Sequence, residues 1–187
     1  MHSRRAGGLA LLGALAVPGL AAHADEVTIC YNYGCYARAP VDYSAQQLAA
    51  LQRELAAAGD AATEREAIAE VVGRMYAIAG EQTPVWRDRG GNYADGGENG
   101  KMDCIDHSTN TTAFLRLLQT HGWLRYHEVL EPLMRRRFFF GEHWAARIRE
   151  RETQKVYIVD SWFFDNGHPA AVLPLEDWLA GRTPNVQ

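Results

Sequence analysis

Cysteine is scarce in this chain, with three in 187 residues. The chain also lacks any internal repeat, any strong excess of charge of one sign, and any long apolar run beyond its first two dozen residues. Each absence excludes something. The formal net charge is −4, and removing Arg4 and Arg5, which precede the first acid at Asp25, takes it to −6. A mildly acidic chain with scattered basic residues does not suit nucleic acid. Its one local basic cluster, Arg135-Arg136-Arg137, reads as a solvated strand edge or loop. Past residue 24 nothing approaches a transmembrane stretch, so no membrane span is expected in the mature chain. No second compact pair of Cys or His ligands accompanies Cys104-x-x-His107, which weakens a zinc site.

What is present begins with an export signal. Arg4 and Arg5 form a basic start, residues 6–20 an apolar Ala/Leu/Gly-rich run, and Ala22-His23-Ala24 a small-x-small cleavage site. The expected division is a signal peptide over 1–24 and a single domain over 25–187, which is long enough for one hydrophobic core. The expected location is secreted or periplasmic. In an oxidising compartment Cys30 and Cys35, with Gly34 between them for a tight turn, most simply close a small disulfide loop. Cys104 is left over. Such a cysteine is paired with another molecule, buried and inert, or a reactive thiol.

The neighbourhood of Cys104 favours the last of these. A glycine-rich loop over 90–100 leads to Met102-Asp103-Cys104-Ile105-Asp106-His107-Ser108, and Asp103 reads as a helix N-cap. Ala113, Phe114, Leu115 and Leu118 give that helix a buried face, and Gly122 stops it. The aligned peptide dipoles at a helix start stabilise a thiolate, which is the nucleophilic form of cysteine.

Elsewhere the periodicity predicts scaffold. Ser44-x-x-Gln47 caps a helix carrying Leu48, Leu51 and Leu55 to Gly59; Thr63-x-x-Glu66 caps another carrying Ile68, Val71, Val72, Met75 and Ile78 to Gly80. Residues 83–102 have no periodicity, a length that suggests a cleft wall or lid, and Trp86, Asn92, Tyr93 and Asn99 are candidate lining residues. After Gly122 the pattern turns to strands: 123–130, a break at Glu131-Pro132, Phe138-Phe139-Phe140, then 143–149 and 155–162 around the polar turn 150–154. Residues 174–179 read as one helical turn. The expected fold class is α+β, with N-terminal helices and the cysteine-bearing helix packed on an antiparallel sheet.

The hairpin permits a register calculation. Opposite residues of an antiparallel pair have a constant sum of residue numbers. A two-residue turn at Arg151-Glu152, or a four-residue loop over 150–153, sets that sum at 303 and places His143 opposite Asp160. Opposed Cβ atoms lie about 4.5–5.5 Å apart, close enough for a carboxylate to fix an imidazole tautomer. With Cys104 packed against the same face, nucleophile, base and orienting acid would be complete.

A cysteine at a helix start, a histidine on a following strand and an aspartate on the next strand resemble the transglutaminase-like cysteine hydrolase superfamily. The export signal and Asp103-Cys104-x-Asp106 look most like bacterial transglutaminase-like cysteine proteinases, and the resemblance spans residues 86–162, with His143-Trp144 and Val159-Asp160-Ser161-Trp162 fitting its pattern. It implies a papain/transglutaminase-like fold and a Cys104–His143–Asp160 triad. The implied activity is peptidase or amidase acyl transfer on a peptide, protein or peptidoglycan substrate, with no required cofactor. The backbone N–H of Cys104 would serve an oxyanion hole, with a second donor from the loop of Trp86. Calcium held by acids around the cysteine is an option of the family; Asp103 and Asp106 match it, and Ile105 stands where a third acid is expected. Two other readings compete. One is a non-catalytic domain of the same fold that binds peptide or cell-wall strands. The other is a metal-binding protein using Cys104 and His107, joined by His121, His127 or His143.

Overall fold

The computed structural model describes residues 24–91, 94–137 and 141–184, with the backbone alone at Arg137. Residues 1–23 of the expected signal peptide, Asn92, Tyr93, Phe138-Phe139-Phe140 and residues 185–187 lie outside the described residues. The element order is β1 (Asp25–Tyr31), β2 (Ala37–Tyr43), α1 (Ala45–Ala56), α2 (Ala61–Gln82), a short 3-10 turn (Pro84–Arg87), α3 (Cys104–Thr120), β3 (His127–Arg137), β4 (Gly141–Glu150), β5 (Val156–Asp160), β6 (Ala171–Pro174) and α4 (Leu175–Leu179). β1 and β2 form a hairpin; β3, β4, β5 and β6 form an antiparallel sheet in that order. The class is α+β, as expected, but a hairpin precedes the helices. Among the described residues no helix is long and apolar enough to cross a membrane.

The helix starts follow from their caps. Ser44 and Gln47 form the expected reciprocal box ahead of α1. At α2 the box sits one turn earlier than expected, because Asp60 accepts from the Thr63 N–H at 2.8 Å; Thr63 is its third position, not its cap. α2 also runs past Gly80 to Gln82. Gly80 is an interior helical residue against which the Trp86 side chain packs, so it does not end the helix. Ile68, Val71, Val72, Met75 and Tyr76 form its buried face.

Two strand expectations need correction. Glu131-Pro132 does not interrupt β3: the pairing shifts between Leu130 and Leu133, a bulge, and the strand continues. β3 is an edge strand, where a proline costs no ladder bond. The β4–β5 register pairs Ala146 with Val159 and Arg147 with Ile158, so opposed residue numbers sum to 305, not 303. The turn lies one residue later than expected at each end, with Gln154 in the left-handed region (φ 59) and the Glu150 N–H donating to the Lys155 carbonyl at 2.9 Å. The sum keeps its parity. His143 and Asp160 therefore share a face as diagonal neighbours.

α3 is the central element. It meets the sheet through β3, β4 and β5 and the hairpin through β1. Phe114, Leu115 and Leu118 are fully buried in the main core beside Ile29, Val41, Tyr43, Val72 and Ile148. The wholly buried Asn110 side chain accepts from the Cys30 N–H (2.6 Å) and donates to the Cys30 carbonyl (2.8 Å), closing the free edge of β1 onto α3.

Candidate active site

Cys104 is the first residue of α3 and a free, partly exposed thiol. The helix start is fixed from three directions. Asp103 Oδ1 accepts from the N–H groups of Ile105 and Asp106, both at 3.0 Å, and Asp106 Oδ2 accepts from the Asp103 N–H at 3.2 Å. The cysteine loop supplies two more donors: Gly34 N–H to Asp103 Oδ2 (3.0 Å) and Cys35 N–H to Asp106 Oδ1 (2.6 Å). Cys30 and Cys35 are joined as expected. The turn between their strands places Asn32, Tyr33, Gly34 and Cys35 all at positive φ, so the disulfide closes a tightly wound segment directly on the cap of the cysteine helix. The third direction is the glycine-rich loop. Its Gly100 (φ +92) lies so close to the Pro84 carbonyl that only a residue without Cβ fits there.

His143 is reached from β4 and Asp160 from the end of β5. The imidazole Nε2 lies 2.7 Å from Asp160 Oδ2, which leaves Nδ1 for the Cys104 sulfur, the ring's other partner. The sulfur also lies 3.9 Å from the Glu142 carbonyl. Burial alone would push the imidazolium toward the neutral form. The hydrogen bonds and charges of Asp160 and Cys104 outweigh it, raising His143 from 6.5 to about 9. The ring stands among aromatics, with centroids of Trp162, Phe163 and Trp178 at 5.0, 5.8 and 5.9 Å.

Asp160 is 1% exposed and held by two further donors. Trp178 Nε1–H donates to Oδ2 at 3.2 Å and the Trp162 N–H to Oδ1 at 3.2 Å. Trp178 was not expected to take part. It is wholly buried on α4, and Arg135 lies over its ring at 4.5 Å and donates to its carbonyl. The only sequence signal was a large aromatic in a short terminal turn. The basic cluster expected to be merely solvated thus holds α4 in place through Arg135.

The remaining expected residues fall outside this centre. Trp86 is 59% exposed on the 3-10 turn, packed against Gly80 and under the Arg87 guanidinium, and no described contact links it to Cys104. His107 has both ring nitrogens engaged, by Asp88 (2.9 Å) and Ser161 (2.8 Å), so it has no free nitrogen for a metal shared with Cys104. His121 pairs with Asp25, and His127 with Glu64. All four carboxylate oxygens of Asp103 and Asp106 accept backbone N–H groups, a set of dipoles that repels cations, and this does not fit a calcium ion. Among the described residues the one cluster of metal-binding size is Cys30, Cys35 and Asp106, whose two sulfurs are bonded to each other.

A partly exposed thiol at a helix N-terminus, joined to an imidazole that a buried carboxylate orients, can form a thiolate–imidazolium pair and exchange a proton with a bound substrate. No family model, no curated protein and no solved structure matches this chain.

Proposed function

We propose that this chain is an exported cysteine hydrolase, a peptidase or amidase of transglutaminase-like fold. The observation that carries the reading is the convergence of Cys104, His143 and Asp160 from three separate elements, with His143 bonded to Asp160 at 2.7 Å and facing the sulfur. The disulfide and the lack of a membrane-spanning helix among the described residues are consistent with a secreted protein.

In this mechanism the Cys104 thiolate attacks an amide or ester carbonyl. The Asp103 cap takes the N–H groups of Ile105 and Asp106, leaving that of Cys104 to meet the developing oxyanion. The His143 imidazolium gives its proton to the leaving amine as the thioester forms. The neutral ring then takes a proton from water, which attacks the thioester and releases the acid with regeneration of the thiol. Asp160 stays ionised and stabilises the imidazolium.

The test is iodoacetamide labelling of the non-reduced protein across pH 4 to 9, read at each cysteine by mass spectrometry. Cys104 is expected to label rapidly below about pH 7, where an ordinary thiol is mostly protonated, and His143→Ala is expected to abolish that low-pH reactivity. Slow labelling with the profile of an ordinary thiol in both proteins would overturn the reading. A peptide-thioester or nitroanilide panel then identifies the acyl group.

A further inference from the structure

Behind the thiol lies a second polar cluster that the mechanism does not use. Asp88, His107, Ser161, Thr111 and Tyr76 are 1%, 3%, 6%, 0% and 2% exposed. His107 Nε2 lies 2.9 Å from Asp88 Oδ2, and its Nδ1 lies 2.8 Å from Ser161 Oγ. A carboxylate can only accept, so Nε2 carries a proton toward Asp88, and Ser161 Oγ bonds both Nδ1 and the Tyr76 hydroxyl, the latter at 3.3 Å. Thr111 Oγ1 lies 3.0 Å from Ser161 Oγ, and the Tyr76 hydroxyl donates to the His107 carbonyl at 3.1 Å. The wiring is that of a serine–histidine–aspartate set, but these groups are sealed from solvent and from any substrate.

Their attachments indicate what they do instead. Asp88 Oδ1 accepts from the Met102 N–H at 2.8 Å, two residues before Cys104, and the Asp88 carbonyl accepts from the Asn166 N–H. His107 lies one turn into the helix that Cys104 opens. Ser161 directly follows Asp160. One connected set of hydrogen bonds therefore joins the approach to the nucleophile, the nucleophile's helix and the strand end that bears the orienting acid.

We propose that Asp88, His107 and Ser161 are positioning residues, a buried polar frame that fixes the Cys104 helix against the Asp160 strand end and so sets the geometry of the thiol–imidazole–carboxylate line. The inference rests on the proposed function above. A frame of directional hydrogen bonds suits this task better than apolar packing, because each bond fixes an angle as well as a distance, and a misplacement of about 1 Å in such a site costs on the order of a hundredfold in rate.

The experiment is the pH profile of Cys104 alkylation in folded protein. The variants are Ser161→Ala, Asp88→Ala and the shape-conserving Asp88→Asn. Glu64→Gln serves as a control that disturbs a buried carboxylate away from the site. Ser161→Ala and Asp88→Ala are expected to slow labelling below about pH 7 by tenfold or more and to move the profile toward that of an ordinary thiol. Asp88→Asn keeps an acceptor for Met102 and turns its NH2 to His107 Nε2, which the ring meets by carrying its proton on Nδ1 and donating it to Ser161 Oγ, so the variant is expected to retain most of the reactivity; Glu64→Gln is expected to melt earlier with its profile unmoved. Should Asp88→Ala fail to fold, Ser161→Ala decides, since it removes one hydroxyl. Wild-type labelling in Ser161→Ala, with His143→Ala still abolishing it, would overturn the frame and leave the proposed function standing. No dependence on His143 in the parent protein would overturn both.

Discussion

At the scale of single residues, His143 has the most consequential environment. Its imidazolium is desolvated, which opposes the charge, but Asp160 and Cys104 outweigh that and hold it to about 9. A group whose folded value is raised above its unfolded one contributes stability that is fully present below about 6.5 and is lost as pH climbs through about 9. The contribution is on the order of 3 kcal/mol. Thermal melts taken from pH 6 to 10 should therefore show a decline in the parent protein that is largely missing in His143→Ala. A parallel decline in both would place the responsible group elsewhere. The same ionisation sets the working range of the proposed chemistry, since above about 9 the ring can no longer hand a proton to a leaving amine.

At the scale of elements, the glycine-rich loop acts as a wedge. A Cβ on Gly90 would stand 2.4 Å from the Phe163 carbonyl oxygen and from the Phe164 backbone, and the Gly91 N–H donates to the Trp162 carbonyl at 2.8 Å. The loop thus bears on the aromatic segment that flanks His143. Gly90→Ala should cost about 1–3 kcal/mol, as overpacking does, and should slow Cys104 labelling because Trp162 and Phe163 must move. Denaturant midpoints together with labelling rates check this; unchanged values would show that the loop yields freely. How legible each element was in the sequence follows from how local its cause is. The cap of α3, the cysteine pair and the box at α1 are set by residues within a few positions of one another, and all were readable. The α2 start was misplaced by one turn because Asp60 and Thr63 compete with Thr63 and Glu66 for the same motif, and only the backbone decides between them. The hairpin register was displaced by two because the turn slid one residue. Parity alone kept His143 and Asp160 together. β1, β2 and β6 went unread: β1 and β2 flank a turn whose glycine and cysteines mask the strand pattern, and β6 is four residues long. Trp178 and Asp88 could not be found from the sequence as site residues, since each meets its partners only once distant segments fold together.

The whole molecule is held at the end remote from the thiol by a different buried cluster. Glu64, wholly buried on α2, accepts from the N–H groups of Arg125 (2.6 Å) and Tyr126 (2.9 Å) and pairs with His127 Nδ1 (2.7 Å). Arg65 beside it bonds Glu150 at 2.8 Å and lies over the Tyr157 ring, so one helix turn fastens the entry to β3, the end of β4 and β5. Burial opposes the Glu64 charge, but the His127 and backbone hydrogen bonds prevail and hold its carboxyl below the usual range. Its stabilisation is thus present above that range and lost as pH falls. Glu64→Gln should cost about 3 kcal/mol, the typical penalty for breaking a buried pair, and should flatten the acid limb of stability in a urea series run from pH 3 to 7.

The cysteine loop at the other end also bears on how the chain reaches this state. Three thiols can pair in three ways, and Cys104 ends beside the very turn that carries Cys35. The partners that join are five residues apart, whereas Cys104 lies about 70 residues downstream. Loop-closure entropy favours the short ring over a ring to Cys104. An N-terminus-first passage into an oxidising compartment would add a head start, as both partners arrive before the third thiol. The spacing of the cysteines along the chain thus acts as a kinetic filter on oxidation, spending the two early thiols on each other and delivering the third unmodified to the mouth of its helix.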